Sequence, residues 1–265
     1  MMGKMIFGRF LPGDSIVHKM DPRAKLLFVF IFIVAVFLAN NVWSYAVLLA
    51  FTFLVMTISK IKLRYLINGL KPVMILLVFT LFIHVFFTKG GAVLVDWKFI
   101  EIHEEGLRQG IFISIRFLVL VFMTSILTLT TSPIAITDGM EMLLNPFKKI
   151  KLPVHELALM MSIALRFIPT LMDETDKIMK AQMARGSDMT SGPIKDRIKA
   201  VVPLLVPLFV SAFKRAEDLA TAMEVRGYRG GDGRTRYRQL KWNLRDTLAL
   251  VVLVLVTGLL VFLRN

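Results

Sequence analysis

Two arginine–glycine pairs are the features of this sequence whose spacing most suggests a chemical role. The segments 181–186 and 222–227 share the pattern Ala-x-x-x-Arg-Gly and lie 41 positions apart. An arginine at a helix end can reach a protein pocket and donate two parallel hydrogen bonds to a carboxylate. Glycine after the last helical residue is also the usual left-handed stop, so one copy alone would indicate only a helix end. Two copies on matched helices predict docking on two similar partner surfaces.

Patterns typical of enzymes and nucleotide-binding proteins are missing from the sequence. It has no cysteine, which excludes a thiolate nucleophile, a Cys-ligated metal and a disulfide scaffold. It also has no Gly-x-x-x-x-Gly-Lys-Ser/Thr phosphate loop, no His-Glu-x-x-His zinc motif and no Gly-x-Ser-x-Gly elbow. The glycine-rich segment 230–234 lacks the lysine and the spacing of a phosphate loop, and it is interpreted as a turn. We therefore predict a protein that is not an enzyme, with no catalytic residue, cofactor or metal.

Isolated polar residues within or beside apolar runs could also carry chemistry. Glu104 and Glu105 with Arg108 hint at an intramembrane protease, but they fall in a predicted loop. Arg116 lies inside an apolar run, where a charge is by default a functional candidate. Snorkelling to the membrane interface or pairing with another helix is the alternative for Arg116, and packing is the alternative for His84. No array of such residues predicts a substrate or ion path through this chain.

The composition indicates a polytopic membrane protein. Of the 265 residues, 56% are hydrophobic and 20% are charged, yet the net charge is +14. Soluble domains carry about 45–50% apolar and about 25% charged residues. The apolar and basic residues of this chain must therefore be segregated along the sequence. A nucleic-acid-binding protein could have this charge but not the long apolar runs, so no nucleic-acid partner is predicted.

Five apolar runs predict five membrane-spanning helices in an all-α fold. A helix needs about 20 residues to cross the hydrocarbon core of a bilayer. The first run is short, and it reaches that length only if Pro22–Lys25 forms its first turn, with Asp21 as the N-cap. The predicted spans are Leu26–Ala39, Val42–Ser59, Pro72–Thr88, Ile111–Ser132 and Thr247–Leu263.

The distribution of basic residues predicts the orientation of these spans. With the N-terminus inside, 28 of the 33 Lys and Arg residues face the cytoplasm. The positive-inside rule therefore favours a cytoplasmic N-terminus and an external C-terminus. The chain then divides into four spans with the N-terminal segment (1–132), a long cytoplasmic segment (133–245) and the fifth span (246–265).

The long cytoplasmic segment is predicted to carry the function. It contains two helical patterns, Val154–Ala184 and Ile194–Val225, each interrupted by proline. Because proline removes a hydrogen bond inside a helix, each pattern is expected to split into an apolar first half and an amphipathic second half. Apolar residues at three- and four-residue steps form stripes on the second halves. We predict either packing on the bundle or contact with a partner for these stripe residues: Leu171, Ile178, Met179, Met183, Phe209, Phe213, Ala216, Leu219, Ala220 and Met223.

Several ordered motifs resemble one transporter family over essentially the whole chain. They are Gly8-Arg9-Phe10-Leu11-Pro12-Gly13-Asp14-Ser15, His18-Lys19-Met20-Asp21-Pro22-Arg23-Ala24-Lys25, Thr130-Thr131-Ser132-Pro133, Arg166-Phe167-Ile168-Pro169 and the paired Arg-Gly ends. The set is similar to that of the transmembrane T components of energy-coupling factor (ECF) transporters, ABC-type importers of vitamins or metals.

The resemblance implies a scaffold in the cell membrane that joins two ABC-type ATPase subunits to a small substrate-binding membrane protein, the S component. In that family the Arg-Gly motifs insert into grooves of the ATPases. This maps onto Ala184-Arg185-Gly186 and Val225-Arg226-Gly227, and the stripes become candidates for S-component contact. Valine at 225 departs from the family, whose members often have Ala or Glu there. The alternatives are a self-sufficient secondary transporter or channel, a conventional ABC permease, and an intramembrane enzyme.

Overall fold

The computed structural model of the chain describes residues 10–97, 100–151, 153–186, 194–230 and 239–264. Helices and one short hairpin account for most of them. The helices are α1 (Ile16–Lys19), α2 (Pro22–Leu38), α3 (Val42–Ser59), α4 (Leu63–Phe87), α5 (Glu104–Thr130), α6 (Pro133–Leu144), α7 (Val154–Ala184), α8 (Ile194–Val225) and α9 (Leu244–Leu263). The strands are β1 (Val93–Trp97) and β2 (Ile100–His103), and a 3₁₀ helix covers Asn145–Ile150.

The described residues form two compact units. The bundle unit contains residues 10–140 and 240–264, with α1 to α5 and α9. The helix-pair unit contains residues 141–230 and Gln239, with α7 and α8. The twelve-residue helix α6 carries the chain from one unit to the other. The units divide at 140/141 and 239/240, within eight residues of the predicted boundaries at 132/133 and 245/246.

Five of the described helices are long and apolar enough to cross a membrane, namely α3, α4, α5, α7 and α9. The predicted number of five is confirmed, although this set contains α7, whereas the predicted set contained the first apolar run, which forms the shorter α2. The difference arises because α2 has only 17 residues, a length of about 25 Å, whereas α7 has 31. The best window of α7 has a mean hydropathy of 1.3, the lowest of the five.

The predicted start of the first apolar helix is confirmed. Helix α2 begins at Pro22, and the Asp21 side chain accepts a hydrogen bond of 2.8 Å from the Arg23 backbone N–H. Asp at the N-cap satisfies an orphan donor, and Pro at the first position has no N–H to satisfy. Helix α2 lies at the centre of the bundle unit, packed against α5 and α9 with Phe32 and Val36 fully buried.

The prolines do not split α7 or α8, so that prediction was wrong. Helix α7 runs unbroken through Pro169, and α8 runs unbroken through Pro203 and Pro207. A proline removes one backbone hydrogen bond, and a helix can accommodate this by bending instead of ending. The consequence is that each helix connects its apolar first half rigidly to its amphipathic second half.

A two-stranded antiparallel hairpin, which the sequence analysis did not predict, precedes α5. Strand β1 pairs with β2 in a register that sets Val93 opposite His103 and Trp97 opposite Ile100, with an irregularity after Val93. Gly91 has a φ of +72°, a left-handed conformation that glycine adopts readily. The hairpin joins α4 to α5 as a short extension of an otherwise α-helical fold.

Helices α4 and α5 approach closely through two glycines, Gly106 and Gly110. A Cβ atom at Gly106 would lie 2.6 Å from the His84 carbonyl oxygen and 2.8 Å from that of Thr88. At Gly110 it would lie 3.0 Å from Cδ1 of Leu81. Small residues four apart let helix backbones pack tightly where lipid provides no hydrophobic driving force. The His84 ring, bonded to Thr88 Oγ1 at 3.2 Å on its own helix, is part of this packing.

A buried polar cluster joins both ends of the bundle-unit sequence. Lys25, only 4% exposed, donates to the carbonyl oxygens of His18 and Thr130 and to Thr131 Oγ1, at 3.0–3.3 Å. Asp246 is fully buried and accepts 3.0 Å from the Asp21 backbone N–H. Buried charges are tolerated when they are hydrogen-bonded in this way. The cluster therefore connects the starts of α2 and α9 with the end of α5.

Arg116 also has a structural partner. Its Nη2 donates to the Ala39 carbonyl oxygen at 3.3 Å and to Tyr45 Oη at 2.9 Å, and its guanidinium lies 5.3 Å from the Phe37 ring centroid. Ala39 is the C-cap of α2, where a cation interacts favourably with the helix dipole. Of the two alternatives, pairing with another helix is therefore the one observed.

Candidate functional site

The helix-pair unit is built on a polar crossing of α7 and α8. Arg215 on α8 forms a salt bridge of 2.8 Å with Glu174 on α7, and the Ser211 hydroxyl donates to the other oxygen of that carboxylate. The Arg215 guanidinium also lies 5.8 Å from the ring centroid of Phe167. The Arg215 guanidinium and the Ser211 hydroxyl therefore both contact one short stretch of α7, between Phe167 and Glu174. The crossing is thus fixed by charge, hydrogen bonding and packing together.

Two arms of equal length extend from this crossing to the Arg-Gly ends. Arg185 lies eleven positions after Glu174, and Arg226 lies eleven positions after Arg215. At 1.5 Å per residue, each arm is about 16 Å long. No proline follows the crossing on either helix, because the last ones are Pro169 and Pro207. Each arm is therefore an uninterrupted α-helix that carries its arginine at a fixed distance.

The first arm ends in a left-handed glycine. Arg185 is the C-cap of α7, and its N–H bonds to the carbonyl oxygens of Ala181 and Gln182. Gly186 has a φ of +87°, and its N–H donates 3.0 Å to the Met183 carbonyl. A Cβ at Gly186 would meet no atom within 4 Å, so its φ, not crowding, accounts for glycine there. The arm leaves Arg185 exposed at its tip.

The second arm ends in the same way. Gly227 has a φ of +72° and its N–H donates 2.8 Å to the Glu224 carbonyl, while the Tyr228 N–H donates 3.0 Å to that of Met223. This pair of bonds is the Schellman motif, with Arg226 at the C-cap. Within the described residues, neither Arg185 nor Arg226 has a side-chain hydrogen bond or ion pair. The prediction that both helices stop at their Arg-Gly pairs is confirmed.

A basic recess, not predicted from the sequence, adjoins the second tip. Arg226 and Arg229 line it from the end of α8, and Arg166 and Ser162 line it from α7, around a volume of about 830 Å³. Three guanidinium groups around one concavity favour an acidic side chain from a partner. The Arg166-Phe167-Ile168-Pro169 motif was noticed in the sequence, but nothing in its spacing placed it beside Arg226.

The predicted stripe residues fall into three groups on the helix pair. The first group lines a mostly apolar groove of about 320 Å³ between α7 and α8: Leu171, Ala216, Leu219, Ala220 and Met223. Ile178 and Met179 are partly buried. Phe209, Phe213 and Met183 are exposed, with Phe213 at 73%. The groove residues partly pack against the other helix of the pair, whereas the exposed residues are available for contact with a partner.

The exposed apolar surface of α8 reaches further toward its first half than predicted. Val202, Val206, Phe209 and Phe213 recur at three- and four-residue steps and are 54–73% exposed. Spacing of this kind places residues on one helix face. We call these four residues the α8 face. The sequence analysis missed its first half because Pro203 and Pro207 were taken to interrupt the helix.

The described residues contain no cluster of three His, Asp or Glu side chains that could hold a metal ion. Glu104 and Glu105 lie in the first turn of α5, where negative charge stabilises a helix N-terminus. Glu141 and His155 form an ion pair at 3.1 Å. The described residues of the helix-pair unit present exposed arginines and an apolar face, both of which suit recognition of a partner.

The sequence of the chain is similar to those of membrane transport proteins. The family model described as CbiQ, cobalt transport protein, matches residues 13–237. The energy-coupling factor transporter transmembrane protein EcfT of Macrococcus caseolyticus is 61% identical, and that of Bacillus subtilis 60%, each over 100% of both chains. The EcfT protein of Listeria innocua is 57% identical, also over the full length of both.

These relatives are membrane components of transporters, not enzymes. Their similarity covers the bundle unit as well as the helix-pair unit, including both Arg-Gly ends within residues 13–237. The suspected resemblance to ECF transporter T components is thereby confirmed. The chain belongs to the CbiQ family and is a transmembrane component of the energy-coupling factor transporter type.

Proposed function

We propose that the chain is the scaffold that couples two ABC-type ATPase subunits to a small substrate-binding membrane protein, the S component, for uptake of a vitamin or metal. The observation that carries the proposal is the pair of Arg-Gly tips, each with a left-handed glycine, on arms of equal length. Two like tips suit two like partners, and an ECF transporter requires further subunits by its name. The chain has no phosphate-binding loop of its own, so ATP must be used by those partners.

The arms provide a mechanical route for coupling. Arg185, between Ala184 and Gly186, would enter a groove on one ATPase. Arg226, between Val225 and Gly227, would enter a groove on the other, and each arginine would bind a carboxylate there. When ATP binding moves the grooves, the tips follow, and the Glu174–Arg215 crossing transmits the motion to the first halves of α7 and α8. Coupling requires that the two ATPase states hold the tips differently, because a contact equal in both states shifts nothing.

The proposed orientation of the chain in the membrane rests on the distribution of its basic residues. The positive-inside rule places the N-terminus and the helix-pair tips on the cytoplasmic side of the cell membrane, where ATP is available, and the C-terminus outside. The tips then face soluble ATPases, while the apolar first halves of α7 and α8 lie nearer the lipid bilayer.

Purification of the tagged chain from its native membranes in a mild detergent tests the proposed function. We expect two ATPase subunits and one small apolar membrane protein to co-purify, and the complex to transport only with ATP after reconstitution. Recovery of the chain alone, with transport in liposomes that contain no ATP, would contradict the proposal and support a self-sufficient transporter.

The α8 face is the proposed S-component contact, together with the predicted residues Leu171, Ile178, Met179, Met183, Ala216, Leu219, Ala220 and Met223. A Phe213→Asp variant places a charge on the most exposed residue of that face. We expect it to lower recovery of the S component at least tenfold, since burial of an unpaired carboxylate costs more than about 1.4 kcal/mol. Recovery of the ATPases should be unchanged.

The matched control is Lys214→Asp, which introduces the same side chain at the neighbouring exposed position. Quantitative mass spectrometry of the purified complexes gives both recoveries in one experiment. Loss of the ATPases with Phe213→Asp, while the S component is retained, would assign the α8 face to the other partner.

A further inference from the structure

A cleft in the bundle unit has no role in the proposed coupling. It has a volume of about 370 Å³, and its floor is formed by α2 and α5, with Phe28 and Met123 among its residues. Its lining is almost entirely apolar, with Lys25 and Arg245 as the two charged residues. Ligand pockets typically have volumes of about 300–1,000 Å³, so the cleft is large enough to hold part of an extended chain.

The cleft opens along the outer surface of two candidate spans. Leu54 and Ile58 line it from α3, and Leu248 and Val252 line it from α9. All four side chains are 38–57% exposed, so the cleft is continuous with the apolar surface that these helices present outward. In a membrane that surface faces lipid tails, which can enter without crossing any polar barrier.

One end of the cleft is cationic. Arg245, in the first turn of α9, is exposed and has no hydrogen-bond or ion-pair partner among the residues that the structure describes. Lys25, the other cation, donates its three hydrogen bonds to protein oxygens and has none left to offer. Trp242 lies three residues before Arg245, just ahead of α9, and tryptophan is enriched at membrane–water interfaces. The free guanidinium therefore lies where the head groups of lipids are found.

We propose that this cleft binds one anionic phospholipid, with an acyl chain along the apolar walls and the phosphate on Arg245. A guanidinium pairs bidentately with phosphate, and basic sites between helices near the interface recognise anionic lipid head groups. The combination of an apolar cleft and one unpaired cation at its mouth favours an anionic lipid over a protein helix as the occupant.

Native mass spectrometry of the full chain, delipidated in mild detergent, tests this site with phosphatidylglycerol and phosphatidylcholine of equal chain length. We expect one phosphatidylglycerol per chain and a preference over phosphatidylcholine of roughly fivefold, as one basic contact to an anionic lipid implies. Arg245→Gln should bring the preference near parity. Arg264→Gln, at the opposite end of α9, should leave it unchanged. Equal behaviour of these two variants would overturn the proposal.

Filling the cleft tests the acyl-chain part independently. We expect Ala249→Phe to weaken binding of both lipids. If the Ala249→Phe protein is polydisperse, Val252→Phe replaces it with the same expected result. Leu255→Phe is the control, because Leu255 is 68% exposed and lies outside the cleft lining. A photoreactive residue at Leu248 should label lipid in whole membranes. Labelling of a polypeptide instead, or lipid binding by Ala249→Phe equal to that of Leu255→Phe, would overturn the proposal.

Discussion

A double variant with Arg185→Glu and Arg226→Glu is expected to lose both ATPase subunits and all ATP-dependent uptake while still inserting into the membrane. Each reversal replaces a guanidinium with a carboxylate at a tip proposed to meet partner carboxylates. Truncating one partner of a buried charge pair costs about 2–5 kcal/mol, and reversal adds repulsion. Since both anchors are lost together, recovery of the ATPases should fall by roughly a thousandfold or more.

Each single variant should keep part of the assembly, because the unaltered tip still binds one of the two ATPase subunits. The paired control is Lys180→Glu with Lys214→Glu, which makes the same charge change on the same two helices away from their tips. Co-purification and uptake by reconstituted vesicles measure the result. Normal uptake by the double tip variant, or equal loss in the paired control, would contradict tip-specific coupling.

Gly106→Ala adds only one methyl group but is expected to destabilise the bundle unit strongly. The new Cβ would lie 2.6 Å from the His84 carbonyl oxygen, so the backbones of α4 and α5 must separate. Overpacking of this kind costs about 1–3 kcal/mol, which outweighs the helix propensity gained over glycine, at most about 1 kcal/mol. Fluorescence-detected size-exclusion chromatography after heating should show a lower midpoint temperature.

Gly258→Ala is the matched control, because it makes the same change in another candidate span. A Cβ at Gly258 in α9 meets no atom within 4 Å, so its stability should stay equal or rise slightly. A midpoint for Gly106→Ala at or above that of Gly258→Ala would show that α4 and α5 do not pack through Gly106.

Local signals made part of this structure predictable. Asp21-Pro22 marked the start of α2 because capping depends on adjacent residues. The Arg-Gly pairs marked the ends of α7 and α8 for the same reason, since a left-handed glycine stop is a short-range feature. The membrane class followed from composition, which needs no knowledge of contacts.

What the sequence analysis missed depends on contacts between distant segments. Whether Pro169 bends or ends a helix is decided by what surrounds it, and spacing alone does not reveal the surroundings. The Glu174–Arg215 bridge and the placement of Arg166 beside Arg226 each require the fold of the helix pair. Gly106 and Gly110 did carry a readable signal, the G-x-x-x-G spacing of close helix pairs, and it was overlooked.

The buried Asp246 makes completion of the bundle unit depend on α9, which is synthesised after the other helices of that unit. Its carboxylate accepts the backbone N–H of Asp21, a residue made 225 positions earlier. Chains emerge from the ribosome N-terminus first, so α2 enters the membrane with that donor unsatisfied until α9 is synthesised. The polar cluster is therefore completed only by α9, and a chain that stalls before residue 246 leaves the Asp21 N–H without this acceptor.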